Sequence, residues 1–306
     1  NREDLEYLAP SKFISSLANV NYENEEFFPF IMSTASELAQ GDEASVMVAI
    51  QLISWVAESC ADEINDDSDA IIELTIQGLS SEDELIAKSA ASLLEEIVIK
   101  VPAAVAPHLE DFIELLVQRI NDDNDFIVTL ERVIAHGDKC YSKLGDLLQF
   151  LLGLLGEEGF VYQVNAIGCI AKALEKFTGT DETLFNNIFP LISPYLEDMS
   201  DISVTSEVFL CVASLIKVSP VSVNENLETI LPFIMENISS EEINIYNSRA
   251  VTEALKEIIS MFSVSIESEA PTIAQTLLRL LSIENPNQQR EIGDDEYPDF
   301  EGKSII

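Results

Sequence analysis

Apolar, amphipathic stretches along this chain end again and again in an acidic turn, and the interval between those turns is nearly constant. The last strong apolar residue before each turn is Leu38, Leu79, Ile120, Leu155, Leu196 and Ile238, spaced by 41, 41, 35, 41 and 42 residues, and Leu281 follows after another 43. Self-similarity at such a period is the mark of a stacked array, in which each unit buries its apolar face only against its neighbours. The turns are alike in chemistry. They read Gly41-Asp42-Glu43, Ser81-Glu82-Asp83-Glu84, Asn121-Asp122-Asp123-Asn124-Asp125, Gly156-Glu157-Glu158, Glu197-Asp198-Met199-Ser200-Asp201 and Ser239-Ser240-Glu241-Glu242. Each places Asp or Glu where a second helix must start, where a carboxylate complements the positive helix end and Asp, Asn or Ser can cap its N–H groups.

The segments between turns carry helical periodicity. Leu109, Phe112, Ile113, Leu116, Val117 and Ile120 follow the i, i+3, i+4, i+7 rule, as do Leu227, Ile230, Leu231, Ile234 and Ile238. Second helices show it at Ile86, Ala90, Leu93, Leu94 and Ile97, and at Val164, Ile167, Ala171 and Leu174. Eleven residues after the landmark, three units carry Ala (Ala49, Ala90, Ala166), which lets paired helices approach closely; the other three carry Glu131, Glu207 and Arg249. Pro102, Pro107, Pro220 and Pro271 fall in or near links between units, where proline suits a helix start, while Pro29, Pro190, Pro194 and Pro232 are expected inside first helices, kinking them.

A two-helix unit with a period in the low forties is of HEAT type, and the predicted fold is all-α: a right-handed α-solenoid of about six HEAT-type helix pairs over residues 24–262. A leading helix is expected near 11–20 and an unpaired one near 269–282, which implies an array that continues; the chain also begins at Asn1 rather than Met, as a fragment or processed form would. The solenoid is assigned residues 1–283. Residues 284–306 change character: Asn285-Pro286-Asn287 is followed by Glu291, Asp294, Asp295, Glu296, Asp299 and Glu301, an acidic polar tail or linker.

Charge narrows the partners. Asp and Glu number 55 against 16 Lys and Arg, a formal net charge of −39. Such a field repels nucleic-acid phosphates and anionic membrane surfaces and attracts basic proteins; it also keeps a large apolar array soluble. No apolar run reaches the ~20 residues that span a bilayer, the nearest being Leu147 to Leu155. Cys60, Cys140, Cys169 and Cys211 form no CxxC pair and read as buried thiols of a reducing compartment. His108 and His136 lie on separate units without a metal-spaced partner, and no nucleophile elbow, HExxH, phosphate-binding or dinucleotide fingerprint occurs. The chain reads as a binding protein without catalytic residues, cofactor or metal.

On such an array the acids of the second helices are the binding candidates. Glu58, Glu95, Glu96, Glu131, Glu207, Glu253 and Glu257 are expected on solvent-facing sides, where they would accept Lys and Arg of an extended basic segment, or simply form a solvated helix face. Trp55, the only tryptophan, sits off its helix's core stripe beside Val48, Leu52 and Ser59; it stacks along a bound basic peptide, with Glu58 holding the charge, or packs on the neighbouring unit.

Three segments carry a family resemblance. Residues 93–123, LLEEIVIKVPAAVAPHLEDFIELLVQRINDD, resemble the repeat junctions of the importin-β (karyopherin-β) family, in which a second helix ends, a proline-containing link follows and a Pro-His-Leu-Glu-like start opens the next first helix. Residues 160–198 and residues 218–234, VSPVSVNENLETILPFI, are similar to the same family's repeats. The Arg that many HEAT repeats place early in the second helix is mostly absent, Lys88 and Arg249 being the nearest cases. The resemblance implies a soluble nuclear import receptor of cytoplasm and nucleus, or a segment of one. It would hold basic cargo proteins and the GTPase Ran on a concave surface lined by second helices, with Ran–GTP regulating cargo. It would bind phenylalanine-glycine (FG) nucleoporin repeats between first helices. A HEAT scaffold subunit of a multiprotein complex and an acidic chaperone for basic proteins remain the alternatives.

Overall fold

The computed structural model describes residues 2–21, 24–66, 68–137, 141–197, 201–239 and 245–282. Among them every regular element is helical, and the chain is an all-α solenoid of HEAT/armadillo type divided into two compact units, Asn1–Lys176 and Phe177–Ile306. Among the described residues no helix is long and apolar enough to cross a membrane. The expected tail, residues 284–306, lies outside the described residues.

The first unit opens with α1 (Arg2–Asn21) and continues with four helix pairs: α2 (Phe27–Leu38) with α3 (Glu43–Val56), α5 (Ser68–Leu79) with α6 (Glu84–Lys100), α8 (Leu109–Ile120) with α9 (Phe126–His136), and α10 (Leu144–Leu155) with α11 (Gln163–Glu175). Short helices α4 (Ala61–Asp66) and α7 (Pro102–Val105) form links. Second helices pack in succession, α3 on α6, α6 on α9 and α9 on α11, while α1 covers the far side of α3. That stacking follows from the apolar stripe: on α8, Leu109, Phe112, Ile113, Leu116 and Ile120 are buried while Glu110, Asp111 and Gln118 face water.

The small residues do what their size suggests. Ala49, Ala90 and Ala166 are wholly buried. Gly78 of α5 sits so close to α6 that a Cβ at that position would lie 2.7 Å from the Ala90 Cβ and 2.9 Å from Ile50 Cδ1. The first helix of this pair therefore rests directly on the small face of its partner and on the preceding repeat.

The second unit repeats the design. First helix α12 (Glu182–Ile192), extended by α13 (Pro194–Glu197), precedes α14 (Ile202–Val218); link helix α15 (Pro220–Glu225) leads to α16 (Leu227–Ser239), α17 (Ile245–Phe262) and α18 (Ala270–Ser282). Helices α14 and α17 share the core, burying Val208, Phe209, Val212 and Leu215 against Val251, Ala254, Leu255 and Ile258. Links bond to one another at the repeat spacing: the Asp181 N–H donates to the Val218 carbonyl at 2.7 Å, and Ser219 Oγ donates to the Asp181 carbonyl at 2.6 Å. The Glu182 carboxylate accepts the N–H groups of Ser222 (2.9 Å) and Val221 (3.2 Å) at the start of α15, which holds its pKa below the ordinary value.

The expected acidic caps form in three places. Asp42 accepts the Ser45 N–H at 2.9 Å, Asp83 those of Leu85 (2.9 Å) and Ile86 (3.0 Å), and Asp201 those of Ser203 (2.9 Å) and Val204 (3.3 Å). Two turns depart from the pattern, and residues 240–242 of the sixth lie outside the described residues. Asp125 stands at the N-cap of α9 in helical conformation and makes no capping bond, because its carboxylate is drawn to Lys88 and Tyr162. After Gly156-Glu157-Glu158 the chain needs further residues, with Gly159 at φ +86°, before α11 starts at Gln163, so those glutamates cap nothing.

The prolines divide likewise. Pro102 and Pro220 occupy the first helical turn of link helices, as expected. Only Pro190 and Pro232 lie inside first helices. Pro29 is the third residue of α2, where no intrahelical N–H bond is lost, and Pro194 follows the break at Ser193 and begins α13, so neither kinks a continuous helix.

Candidate functional site

The polar surface of the stacked second helices is organised as cross-links between repeats. Gln51 Nε2 of α3 donates to Ser89 Oγ of α6 at 3.2 Å. Glu95 of α6 accepts Thr129 Oγ1 at 2.6 Å and pairs with Arg132 at 3.0 Å, both on α9. Glu131 of α9 accepts Asn165 Nδ2 at 2.7 Å and pairs with Lys172, both on α11. In the second unit Lys217 of α14 meets Glu257 of α17 at 3.4 Å.

These bonds sort the sequence-predicted residues. Glu95 and Glu131 are each 19% exposed and Glu257 14%, turned toward the neighbouring second helix rather than toward solvent. Glu253 pairs with Lys256 three residues on at 2.9 Å, which lowers its pKa. Glu207 is half-buried one turn from Cys211, whose thiol burial pushes far up. Glu58 differs: it is 76% exposed and touches only the Lys100 ammonium, at 3.6 Å. Glu96 is part-exposed beside Glu95. Trp55 is part-buried, and its carbonyl accepts Ser15 Oγ of α1 at 2.9 Å, so α1 packs along the end of α3 that carries Trp55; Glu58, expected on the second helix, lies instead in the turn beyond it, because α3 ends at Val56. The expected solvent-facing row is thus a seam over most of its length, open at Trp55, Glu58 and Glu96.

Sequence reasoning missed the use made of the scarce cations. Lys88, Lys100, Arg132, Lys143 and Lys172 all pair with carboxylates of adjacent repeats, while Arg119 and Lys176 are spent on helix ends. Arg119 Nε donates to the Leu79 carbonyl at 2.6 Å and its Nη2 to that of Ser81; Lys176 donates to the carbonyls of Ala135 (2.9 Å), Ile134 and Gly137. A cation there satisfies carbonyls that the helix leaves unpaired and meets the negative end of its dipole. The available signal was positional: both fall about forty residues after the end they cap.

Along the turn edge, Lys88 gathers Glu84 (2.8 Å), Asp123 (2.7 Å) and Asp125 (3.3 Å), which raises the lysine pKa and lowers that of Asp123. Beside this cluster the α5–α6 and α8–α9 turns flank an open groove of about 310 Å³, lined by Leu79, Ser80, Glu82, Leu115, Gln118, Arg119 and Asp122. Among the described residues no group of three or more His, Cys, Asp or Glu side chains is placed to hold a metal ion.

No known family's sequence profile matches the chain, and no curated protein matches it in sequence. Solved structures do match in fold. Yeast importin-beta aligns with a TM-score of 0.63 at 14% identity, over 87% of this chain and 33% of that one, so the chain spans about a third of that receptor's length. A designed armadillo repeat protein aligns at 0.53 and 16% identity, covering 74% of this chain and 99% of that one. Another, solved in complex with the peptide (KR)4, aligns at 0.53 and 18% identity over 74% of this chain and 98% of that one. These similarities establish the fold, a HEAT/armadillo repeat solenoid.

Proposed function

We propose that the chain holds an extended basic segment of a partner protein and works as a segment of a nuclear import receptor regulated by Ran–GTP. The observation that carries this reading is the fate of the cations. In the first unit Lys88, Lys100, Arg119, Arg132, Lys143, Lys172 and Lys176 are engaged in seams and helix ends, so the remaining acids present a field with little compensation from them at the surface. Trp55, Glu58 and Glu96 are the first contacts: Glu95, Glu131 and Glu257 are turned into the seams and must release bound cations before they can accept others, whereas Glu58 is 76% exposed and meets Lys100 only at 3.6 Å. A basic peptide in complex with a designed protein of similar fold supports the same chemistry, and the importin-beta similarity supports Ran, FG nucleoporins and traffic between cytoplasm and nucleus.

The sole tryptophan supplies the test. Titrating the chain with (KR)4, which has no aromatic residue, should shift Trp55 emission, and the Glu58→Gln/Glu96→Gln pair should weaken binding about tenfold, as the loss of charge-assisted contacts does. Unchanged emission together with unchanged affinity would remove the second-helix face from consideration. For the finer reading, Ran–GTP should bind and Ran–GDP bind far more weakly; equal binding to both, or to neither, returns the chain to a scaffold or acidic chaperone.

A further inference from the structure

The groove between the α5–α6 and α8–α9 turns has a use that neither the seam nor the Trp55 face explains. Its accessible apolar surface is half-buried Leu115, since Leu79 beneath it is fully buried. Its rim is acidic, with Glu82 on one turn and Asp122 on the next, both exposed. The neighbouring Asp123 and Asp125 are engaged by Lys88, whereas Glu82 and Asp122 have no ion-pair partner among the described residues. Arg119 forms the back wall with its guanidinium held by the Leu79 and Ser81 carbonyls at the negative end of α5, so the groove sets two carboxylates against one cation.

We infer that this groove seats one lysine or arginine side chain of a partner protein's basic segment. Such a side chain is apolar along its stem and charged at its head, matching the Leu115 surface below a carboxylate rim. An anionic group would face two carboxylates, and a wholly apolar side chain would strip water from them without replacing their hydrogen bonds. The inference rests on the reading of the chain as a binder of basic segments, and adds a contact point at the turn edge, apart from the Trp55 face. It makes Asp122 a contact rather than only a long-range charge.

Contact and steering separate kinetically, since an exposed charge acts on association and a contact on dissociation. The test is stopped-flow binding of dye-labelled (KR)4 to the full chain at low ionic strength. Compared with wild type are Glu82→Gln/Asp122→Asn, the control Glu37→Gln/Asp69→Asn (carboxylates away from the groove) and Trp55→Ala/Glu58→Gln. The groove variant should dissociate about tenfold faster, while the control, with the same charge change, only associates more slowly. Dissociation unchanged in the groove variant, or raised equally in the control, overturns the inference. Faster dissociation in the Trp55 variant alone leaves the proposed face standing without the groove. Faster dissociation in the groove variant alone does the reverse, and a wild-type chain that does not bind the peptide overturns both.

Discussion

At the scale of single residues, the tightest constraint is the absence of a side chain. Gly78 has ordinary helical backbone, so its role is space rather than conformational freedom: a methyl group there would meet the Ala90 Cβ and Ile50 Cδ1 well inside contact distance. The nearer obstacle is a neighbouring helix's Cβ, which cannot swing aside, and the second is the Cδ1 end of an isoleucine that is fully buried. Gly78→Ala should therefore cost about 1–3 kcal/mol despite alanine's better helix propensity. Urea unfolding checks this, and a variant as stable as wild type would mean that α5 and α6 slide apart freely. Arg119 and Lys176 show the complementary case. In a chain with 16 basic residues, these two are tied to carbonyls at helix ends rather than paired with carboxylates. Nothing in local sequence marks them, because what they satisfy lies a full repeat away.

At the scale of elements, the acidic turns are not equivalent, and their caps can be told apart by mutation. Asp83→Ala removes bonds to two N–H groups of α6 and should cost about 1 kcal/mol of stability. Asp125→Ala removes no cap; it breaks contacts to Lys88 and Tyr162, exposed bonds worth little, so thermal unfolding should show a clearly smaller loss. Equal losses would mean that the turns stabilise by charge alone. The helix pairs themselves were legible in the sequence because 3.6-residue periodicity and a recurring acidic turn are local signals; the predicted pairs and the closing single helix match those observed, while α1 starts well before the expected 11–20. The caps were legible only as residue types. Which aspartate turns inward depends on a lysine in the preceding repeat, and the delayed start of α11 depends on Gly159, whose left-handed backbone the acidic pattern does not reveal. The candidate site was legible to a similar depth. Periodicity places Glu95 and Glu131 on second helices, but their exposure is decided by Thr129, Arg132, Asn165 and Lys172 across the interface.

At the scale of the whole molecule, opposing electrostatic effects set the response to pH and salt. Asp42, Asp123, Asp181 and Glu182 are all held below their ordinary values of 3.8 or 4.5, by the Ser45 hydroxyl, the Lys88 ammonium, the Thr183 hydroxyl and the Ser222 N–H respectively. A carboxyl whose pKa is lower folded than unfolded stabilises the fold above its unfolded pKa, and that contribution disappears as pH falls through the folded one. The melting temperature should hold from neutrality down to about pH 5 and drop below about pH 4. A net charge of −39 works the other way, since self-repulsion loads the folded state at neutral pH. Added salt at pH 7 should therefore raise the melting temperature, because screening relieves the long-range repulsion more than it weakens short cross-repeat pairs. A fall with salt would show that the seams outweigh the repulsion. The spacing of those seams also bears on how the chain is made. Thr129–Glu95, Arg119–Leu79, Lys172–Glu131 and Ser222–Glu182 join residues 34 to 41 apart. A helix pair leaving the ribosome thus waits only for the next pair before its bonds can close. Each repeat can commit to its fold while later ones are still being synthesised, with no partner strand or distant terminus to await.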